Sequence, residues 1–440
     1  MSNRTAFLFP GLGAYSAGVL GQAHREFPLI ERIFEEIDGV AAGHGVPSVK
    51  AVVFDENAPS IRDMLELRSE LLQLAIFGTS VATFQALLKE GGRPDLLVGH
   101  SFGEIAALTA AGAFTLADGV RLVCARSAAL REWERRGQMA AIGVSESVAT
   151  HLIGVLDEPD LVVGCVNAPR QTVLSGTPDA IASAERAAAA LELVFAKLHL
   201  PYASHHPSMR PAVGEFLRLI ADVGQRPLTL PVHSPIFGRS YTDNDDLKQA
   251  IAECLVLPVR FLDTVRDLHS RGFSNFVEVG ALQALTRCVE RTVPGVRTFA
   301  PLADRQQASD NIRAAARGGG AQRAATARTA ASCEVPRPRD GRENERIAPE
   351  AAGAPSREEM LDRLRALYAQ ALEYPPEVLT EDAQLEAELG VDSLKQTSLL
   401  TAVIAEFGLP DRTDDLRVWE FPTLGCIADH VLSVGQGAAR

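Results

Sequence analysis

Two serines, a pair of adjacent histidines and one arginine carry most of the chemistry legible in this chain. Ser101 lies in Gly99-His100-Ser101-Phe102-Gly103-Glu104. Glycine two positions to either side of a serine suits a sharp strand-to-helix turn, because the backbone there passes close to neighbouring elements while the hydroxyl stays exposed. A serine hydroxyl is a weak nucleophile until a base takes its proton, and His205 and His206 are candidates for that base. The chemistry of such a pair is acyl transfer through a serine ester, with the Phe102 N–H at the head of the following helix facing the acyl oxygen. The spacing also occurs as a plain glycine-flanked turn. Arg126, 25 residues after Ser101, suits a two-pronged ion pair with a carboxylate or a surface salt bridge. Ser393, in Leu389-Gly390-Val391-Asp392-Ser393-Leu394, opens a helix, where free N–H groups favour a phosphate and where a serine also serves as a simple cap. No carboxylate or cysteine cluster at ligand spacing accompanies the histidines, so no metal is expected.

The elements around these residues alternate short apolar runs with longer amphipathic ones, the rhythm of an α/β fold over residues 1–316. Residues 5–9 and 96–99 are expected as buried strands. Residues 68–88 and 105–111 are expected as helices, and Arg126 is expected on a helix beginning near Ala117. Between 138 and 200 the expected order is strand (139–144), helix, strand (161–166), strand (171–175), helix (179–190), strand (193–198). That β-α-β-β-α-β order is the split βαβ arrangement of a small ferredoxin-like insert. Residues 317–355 turn to Ala, Arg, Gly and Pro and lack aromatic residues, a composition that reads as a flexible linker. As a coil, those 39 residues reach roughly 31–37 Å. Residues 356–440 read as a helical bundle, with helices at 357–372, 393–407 and 424–432.

Charge separates the two ends. Residues 356–440 hold 16 Asp and Glu against 7 Lys and Arg, a net of −9 out of −13 for the whole chain. An acidic C-terminal module argues against nucleic acid and favours docking on basic protein surfaces. The six cysteines lack CxxC or CxxH spacing and read as reduced, which points to a cytoplasmic setting. Residues 6–20 are apolar but interrupted by Pro10, Gly11 and Gly13, which suits a buried strand and turn better than a signal peptide. No run of 18 apolar residues is present, so no membrane span is expected.

Seven segments occur in the order of one family: Phe9-Pro10-Gly11-Leu12-Gly13, the Ser101 hexapeptide, Ala125-Arg126-Ser127, Gly137-Gln138-Met139-Ala140-Ala141, Val166-Asn167-Ala168-Pro169, Tyr202-Ala203-Ser204-His205 and Phe276-Val277-Glu278-Val279-Gly280. Over nearly all of residues 1–316 the chain resembles the malonyl-CoA:acyl carrier protein transacylases and the acyltransferase domains of polyketide and fatty-acid synthases. Residues 356–434 resemble an acyl carrier protein, with Ser393 at the phosphopantetheine attachment position. The resemblance implies an α/β-hydrolase-like acyltransferase core with a ferredoxin-like inserted subdomain, followed by a four-helix carrier bundle.

The roles it implies fall on matching positions. Ser101 would form the acyl-enzyme, and His205 would be its base, with His206 standing where the family commonly has serine. A backbone carbonyl rather than an aspartate would orient the histidine, from Asn167 or from residues 280–283. The N–H groups of Leu12 and Phe102 would bind the oxyanion, and Leu12 in place of the usual glutamine is mild because the donor is main chain. Arg126 would hold the free carboxylate of a malonyl-type unit. Tyr202-Ala203-Ser204-His205 resembles the version associated with methylmalonyl, with Ser204 leaving room for an α-methyl, although a methyl is worth only about 1–3 kcal/mol. Phe102 is bulkier than is common there and complicates the choice.

The expected function is transfer of a malonyl-type, or methylmalonyl, extender unit from its CoA thioester through Ser101 to the thiol of 4′-phosphopantetheine on Ser393, in polyketide biosynthesis. Expected partners are malonyl- or methylmalonyl-CoA, a phosphopantetheinyl transferase and a separate ketosynthase-containing synthase, since no ketosynthase precedes the acyltransferase here. Two alternatives stay open. One is an editing acyl-thioester hydrolase, whose members tend to lack the arginine; the other is a self-charging carrier module serving a partner synthase. A general lipase is disfavoured, since no later acid and histidine follow in that fold's order.

Overall fold

The computed structural model describes residues 4–318 apart from 199 and 201, and, toward the C-terminus, residues 357–372, 379–381, 385, 399, 403, 407 and 423–437. The chain divides into two compact units, Met1–Ala331 and Ser332–Arg440. The described residues hold ten strands: β1 (Arg4–Phe9), β2 (Leu96–Gly99), β3 (Gln138–Ile142), β4 (Leu161–Ala168), β5 (Gln171–Gly176), β6 (Phe195–Lys197), β7 (Val232–Ser234), β8 (Arg239–Ser240), β9 (Phe273–Glu278) and β10 (Arg297–Phe299).

The larger sheet runs β10-β9-β1-β2-β7-β8, parallel except for β8, which returns antiparallel to β7. Alternation along its central strands feeds two cores. Phe7, Phe9 and Leu97 enter one, with the helices Pro28–Ala42, Ser69–Lys89 and Leu116–Leu130. Ala6, Leu8, Leu96 and Val98 enter the other, with the helices Phe261–Ser270 and Ala284–Thr292. A parallel sheet covered on both faces needs such near-continuous apolar strands. The helix Ser69–Lys89 is long and apolar enough to cross a membrane, yet 89% of its apolar window is buried inside this fold, where it serves as a core helix.

The insert forms the second sheet, β4-β5-β3-β6, antiparallel throughout. Its helices Glu146–Leu156 and Pro178–Ala190 start at Ser145 and Thr177, whose hydroxyls accept the Val148 and Ala180 N–H groups, and they cover one face. Met139, Cys165 and Val173 on the other face join the core around Phe261, so the insert is seated on the larger sheet's flank. The last strand is shorter than its apolar run, because the Leu193 N–H turns back to the Ala188 carbonyl and closes the preceding helix.

In the second unit, helices Arg357–Leu372 and Leu424–Gly437 meet through Leu364, Tyr368, Ile427 and Val431. Leu399 and Val403, both helical and four residues apart, enter the same core. Ser393 and residues 319–356 lie outside the described residues.

Candidate active site

The nucleophile turn is held by close backbone contacts. Ser101 follows β2 directly and has φ 55°, a left-handed value that non-glycine residues rarely adopt. The glycines two residues away are required by space. A Cβ on Gly99 would lie 2.4 Å from the Glu104 Cα, and one on Gly103 would lie 2.1 Å from the Phe9 carbonyl oxygen. The strained turn is therefore clamped between β1 and the helix Gly103–Ala110. The N–H groups of Gly103 and Glu104 return to the carbonyls of His100 and Ser101. The Phe102 N–H finds no acceptor among the described residues and is left to a ligand oxygen. Gly11 passes against the same turn, its Cβ position 3.2 Å from the His100 carbonyl and 3.8 Å from the Ser101 Cβ, which brings Leu12 alongside.

His205 Nε2 lies 2.7 Å from Ser101 Oγ. Its Nδ1 lies 2.8 Å from the Leu257 carbonyl oxygen, and its own N–H donates to Leu255 O at 2.8 Å. A carbonyl can only accept, so Nδ1 carries the proton and Nε2 presents its lone pair to the serine hydroxyl, which donates. The orienting carbonyl is thus Leu257. Neither expected source, the carbonyl of Asn167 or one from residues 280–283, supplies it, since Nδ1 is on Leu257; the Asn167 side chain pairs with His100 Nε2 at 2.8 Å. Burial pushes His205 down to about 3, against the opposing pull of the Leu257 bond, so the resting base is neutral.

His206 is turned elsewhere. Its Nδ1 accepts the Ser208 N–H at 3.1 Å and caps the short turn Pro207–Met209.

Arg126 is only 4% exposed. Its Nη1 donates to Gln73 Oε1 at 2.7 Å and to the Tyr202 hydroxyl at 3.2 Å, and its guanidinium carbon lies 5.2 Å from the Phe102 ring centre. Among the described residues no carboxylate pairs with it. A buried cation without a counter-ion is costly, and a ligand carboxylate removes that cost. Tyr202, Phe102 and Arg126 therefore form one buried cluster. Ser204 is buried in the next turn of chain, its carbonyl accepting from Ser175 Oγ at 2.7 Å and its own hydroxyl without a partner among the described residues.

The structure thus brings together Ser101, His205 and Phe102, and groups Arg126 with Tyr202 and Phe102. Two participants escaped sequence reasoning. Gln73 is an amide inside the apolar run Leu71-Leu72-Gln73-Leu74-Ala75, a signal that was readable. Leu257 contributes a main-chain carbonyl, which no side-chain type reveals.

Residues 6–327 match the acyl transferase domain family, and residues 362–431 match the phosphopantetheine attachment site family. A phenolphthiocerol synthesis polyketide synthase type I of Mycobacterium marinum is 30% identical over 66% of this chain and 14% of its own length. A polyketide biosynthesis protein of Burkholderia thailandensis, ThaF, is 31% identical over 69% of this chain and 25% of its own. The matches thus span a quarter or less of these relatives. Among solved structures, a malonyl CoA-acyl carrier protein transacylase of Coxiella burnetii superposes with TM-score 0.65 at 25% identity, covering 72% of this chain and 97% of that one. The acyltransferase domain from the second module of the salinomycin polyketide synthase gives 0.63 at 27% identity, covering 76% and 79%. Domains of the attachment-site family carry covalent 4′-phosphopantetheine, so that group belongs to the second unit. With its serine elbow, its carbonyl-oriented histidine and these matches, the chain belongs to the acyl transferase domain family, joined to a phosphopantetheine attachment domain.

Proposed function

We propose that this chain loads a malonyl-type extender unit onto its family's pantetheine arm for polyketide assembly. Ser101 attacks the carbonyl of an acyl-CoA thioester while His205 Nε2 takes the hydroxyl proton. The bond to the Leu257 carbonyl steadies the imidazolium that results. The N–H groups of Phe102 and Leu12 receive the oxyanion. CoA leaves as the thiol, with His205 returning the proton to sulfur. Ser393 is the residue that would hold the pantetheine arm, whose thiol would accept the acyl group in the second half-reaction; His205 would take the thiol proton and return it to Ser101 Oγ as the ester bond breaks. Arg126 grips the free carboxylate of the unit, and Tyr202 and Ser204 shape the space beside its α-carbon, where a methyl is the substituent the Tyr202-Ala203-Ser204-His205 segment favours.

The observation that carries the reading is the 2.7 Å Ser101–His205 contact with a tautomer fixed by Leu257. The buried Arg126, with no carboxylate partner among the described residues, supports a dicarboxylic unit over acetyl and over the hydrolytic alternative. The test is intact-protein mass spectrometry of the phosphopantetheinylated chain offered malonyl-, methylmalonyl- and acetyl-CoA together. A dicarboxylic acyl mass is expected on the wild type. It should persist on Ser101 alone in Ser393→Ala and vanish from both positions in Ser101→Ala. Free acid accumulating without an adduct would make the chain a hydrolase.

A further inference from the structure

The helix that carries the nucleophile turn buries a carboxylate which the mechanism does not use. Glu104 is 0% exposed, three residues after Ser101, and its N–H donates to the Ser101 carbonyl at 3.0 Å. Its side chain leaves the turn for a different part of the sheet. Glu104 Oε1 accepts from Ser234 Oγ at 2.6 Å, at the end of β7, and Oε2 accepts from the Tyr241 hydroxyl at 2.5 Å, just past β8.

The donors are arranged for an ionised carboxylate. Ser234 Oγ already accepts the N–H groups of Ile236 and Phe237, at 3.2 and 3.3 Å, so its own proton is committed toward Glu104. Tyr241, 6% exposed, directs its proton to the other oxygen. A buried carboxylate that accepts two O–H donors ties three segments into one unit: the nucleophile turn, the end of β7 and the Tyr241 strand edge. Ser101 at φ 55° needs such over-determination, because a left-handed serine relaxes unless its surroundings forbid it.

We propose that Glu104 is a positioning residue for Ser101, its ionised side chain locking the nucleophile turn against Ser234 and Tyr241 so that the hydroxyl stays on His205. The inference rests on Ser101 being the acylated residue. Protonating Glu104 places a proton between oxygens whose neighbours already donate, and the lock loosens. Burial pushes Glu104 up to about 7, against the pull of its two hydroxyl donors. The other titratable groups facing it are Tyr241 and the Cys254 thiol, both pushed far up by burial and by Glu104, so both stay neutral. Arg126 acts on Cys254 from a distance and lowers it slightly against the burial. His205 is already neutral above pH 4, so it contributes no limb near neutrality.

Single-turnover acylation of Ser101 by malonyl-CoA, followed by mass spectrometry from pH 5.5 to 8.5, tests this in wild type, Glu104→Gln and Tyr241→Phe. The wild-type rate is expected to fall tenfold per pH unit below about 7, with thioester affinity unchanged. Glu104→Gln, which has the shape but no titration, should be flat across that range. Tyr241→Phe removes one donor to the carboxylate and should move the limb to higher pH. An unchanged limb in both variants, or a wild type with no limb near 7, overturns the proposal. Should wild-type Ser101 take up no acyl group at any pH, the functional reading fails first. Circular dichroism at each pH confirms that both variants are folded.

Discussion

At the scale of single residues, the site sets a neutral base, His205, apart from the buried guanidinium of Arg126. His205 gains basicity only as Ser101 gives up its proton, when the imidazolium finds the Leu257 carbonyl already in place. Replacing His205 by Ala is expected to lower the acylation rate by about 10²–10⁴-fold without weakening thioester binding, as single-turnover kinetics would read. On the proposed function, Arg126 works on the other end of the substrate. Arg126→Ala should cut kcat/KM for malonyl-CoA by about 10²–10³-fold, the loss typical of one partner of a buried charge pair, and leave acetyl-CoA little changed. Equal losses for both thioesters would mean that Arg126 only supports the fold through Gln73 and Tyr202.

At the scale of elements, the nucleophile works because a strand, a turn and a helix are too close together for a side chain. Gly103→Ala would put a methyl into the Phe9 and Pro10 carbonyls, at 2.1 and 2.7 Å. We expect a cost of at least about 1–3 kcal/mol, with a drop in Tm and loss of Ser101 acylation together. Gly13→Ala, in the neighbouring loop, meets nothing within 4 Å and serves as the control, with little change in Tm. Comparable melting of the two variants would refute the clamp. A similar economy appears at β9, where buried Glu278 accepts the Leu285 and Thr286 N–H groups at 3.1 and 2.9 Å and caps the helix Ala284–Thr292 from within the core.

At the scale of the whole molecule, buried titratable groups set how stability follows pH. Burial lowers His100, His205, His206 and His233 from the usual 6.5, so the unfolded chain takes up their protons first as pH drops, and stability is lost below 6.5. Burial raises Glu104 and Glu278 to about 7, so these two favour the folded state at low pH and lose that contribution as pH rises from 4.5 to 7. The two contributions oppose each other, and the histidines are expected to dominate below pH 6.5. Calorimetry should therefore show Tm falling between pH 6.5 and 4.5, with net proton uptake on unfolding; a Tm that rises over that interval would contradict the assignment.

Local signals were enough to read the elbow around Ser101, the alternating α/β rhythm, the β-α-β-β-α-β insert and the acidic attachment module, because each is written in neighbouring residues at fixed spacing. Space around Gly99 and Gly103 likewise follows from the turn they sit in. What folding alone decided involves partners far apart in sequence or atoms that every residue shares. The resemblance already favours His205 over His206; what the fold adds is the 104-residue closure that sets it on Ser101. Its orienting group is a main-chain carbonyl, identical at every position, which is why Leu257 carried no mark while Asn167 did. Arg126 could be named from its segment, but that no carboxylate pairs with it among the described residues is a property of the packing around it. Glu104 reaches Ser234 and Tyr241 across 130 and 137 residues, and only the packing of β7 and β8 beside β2 brings that carboxylate its two protons.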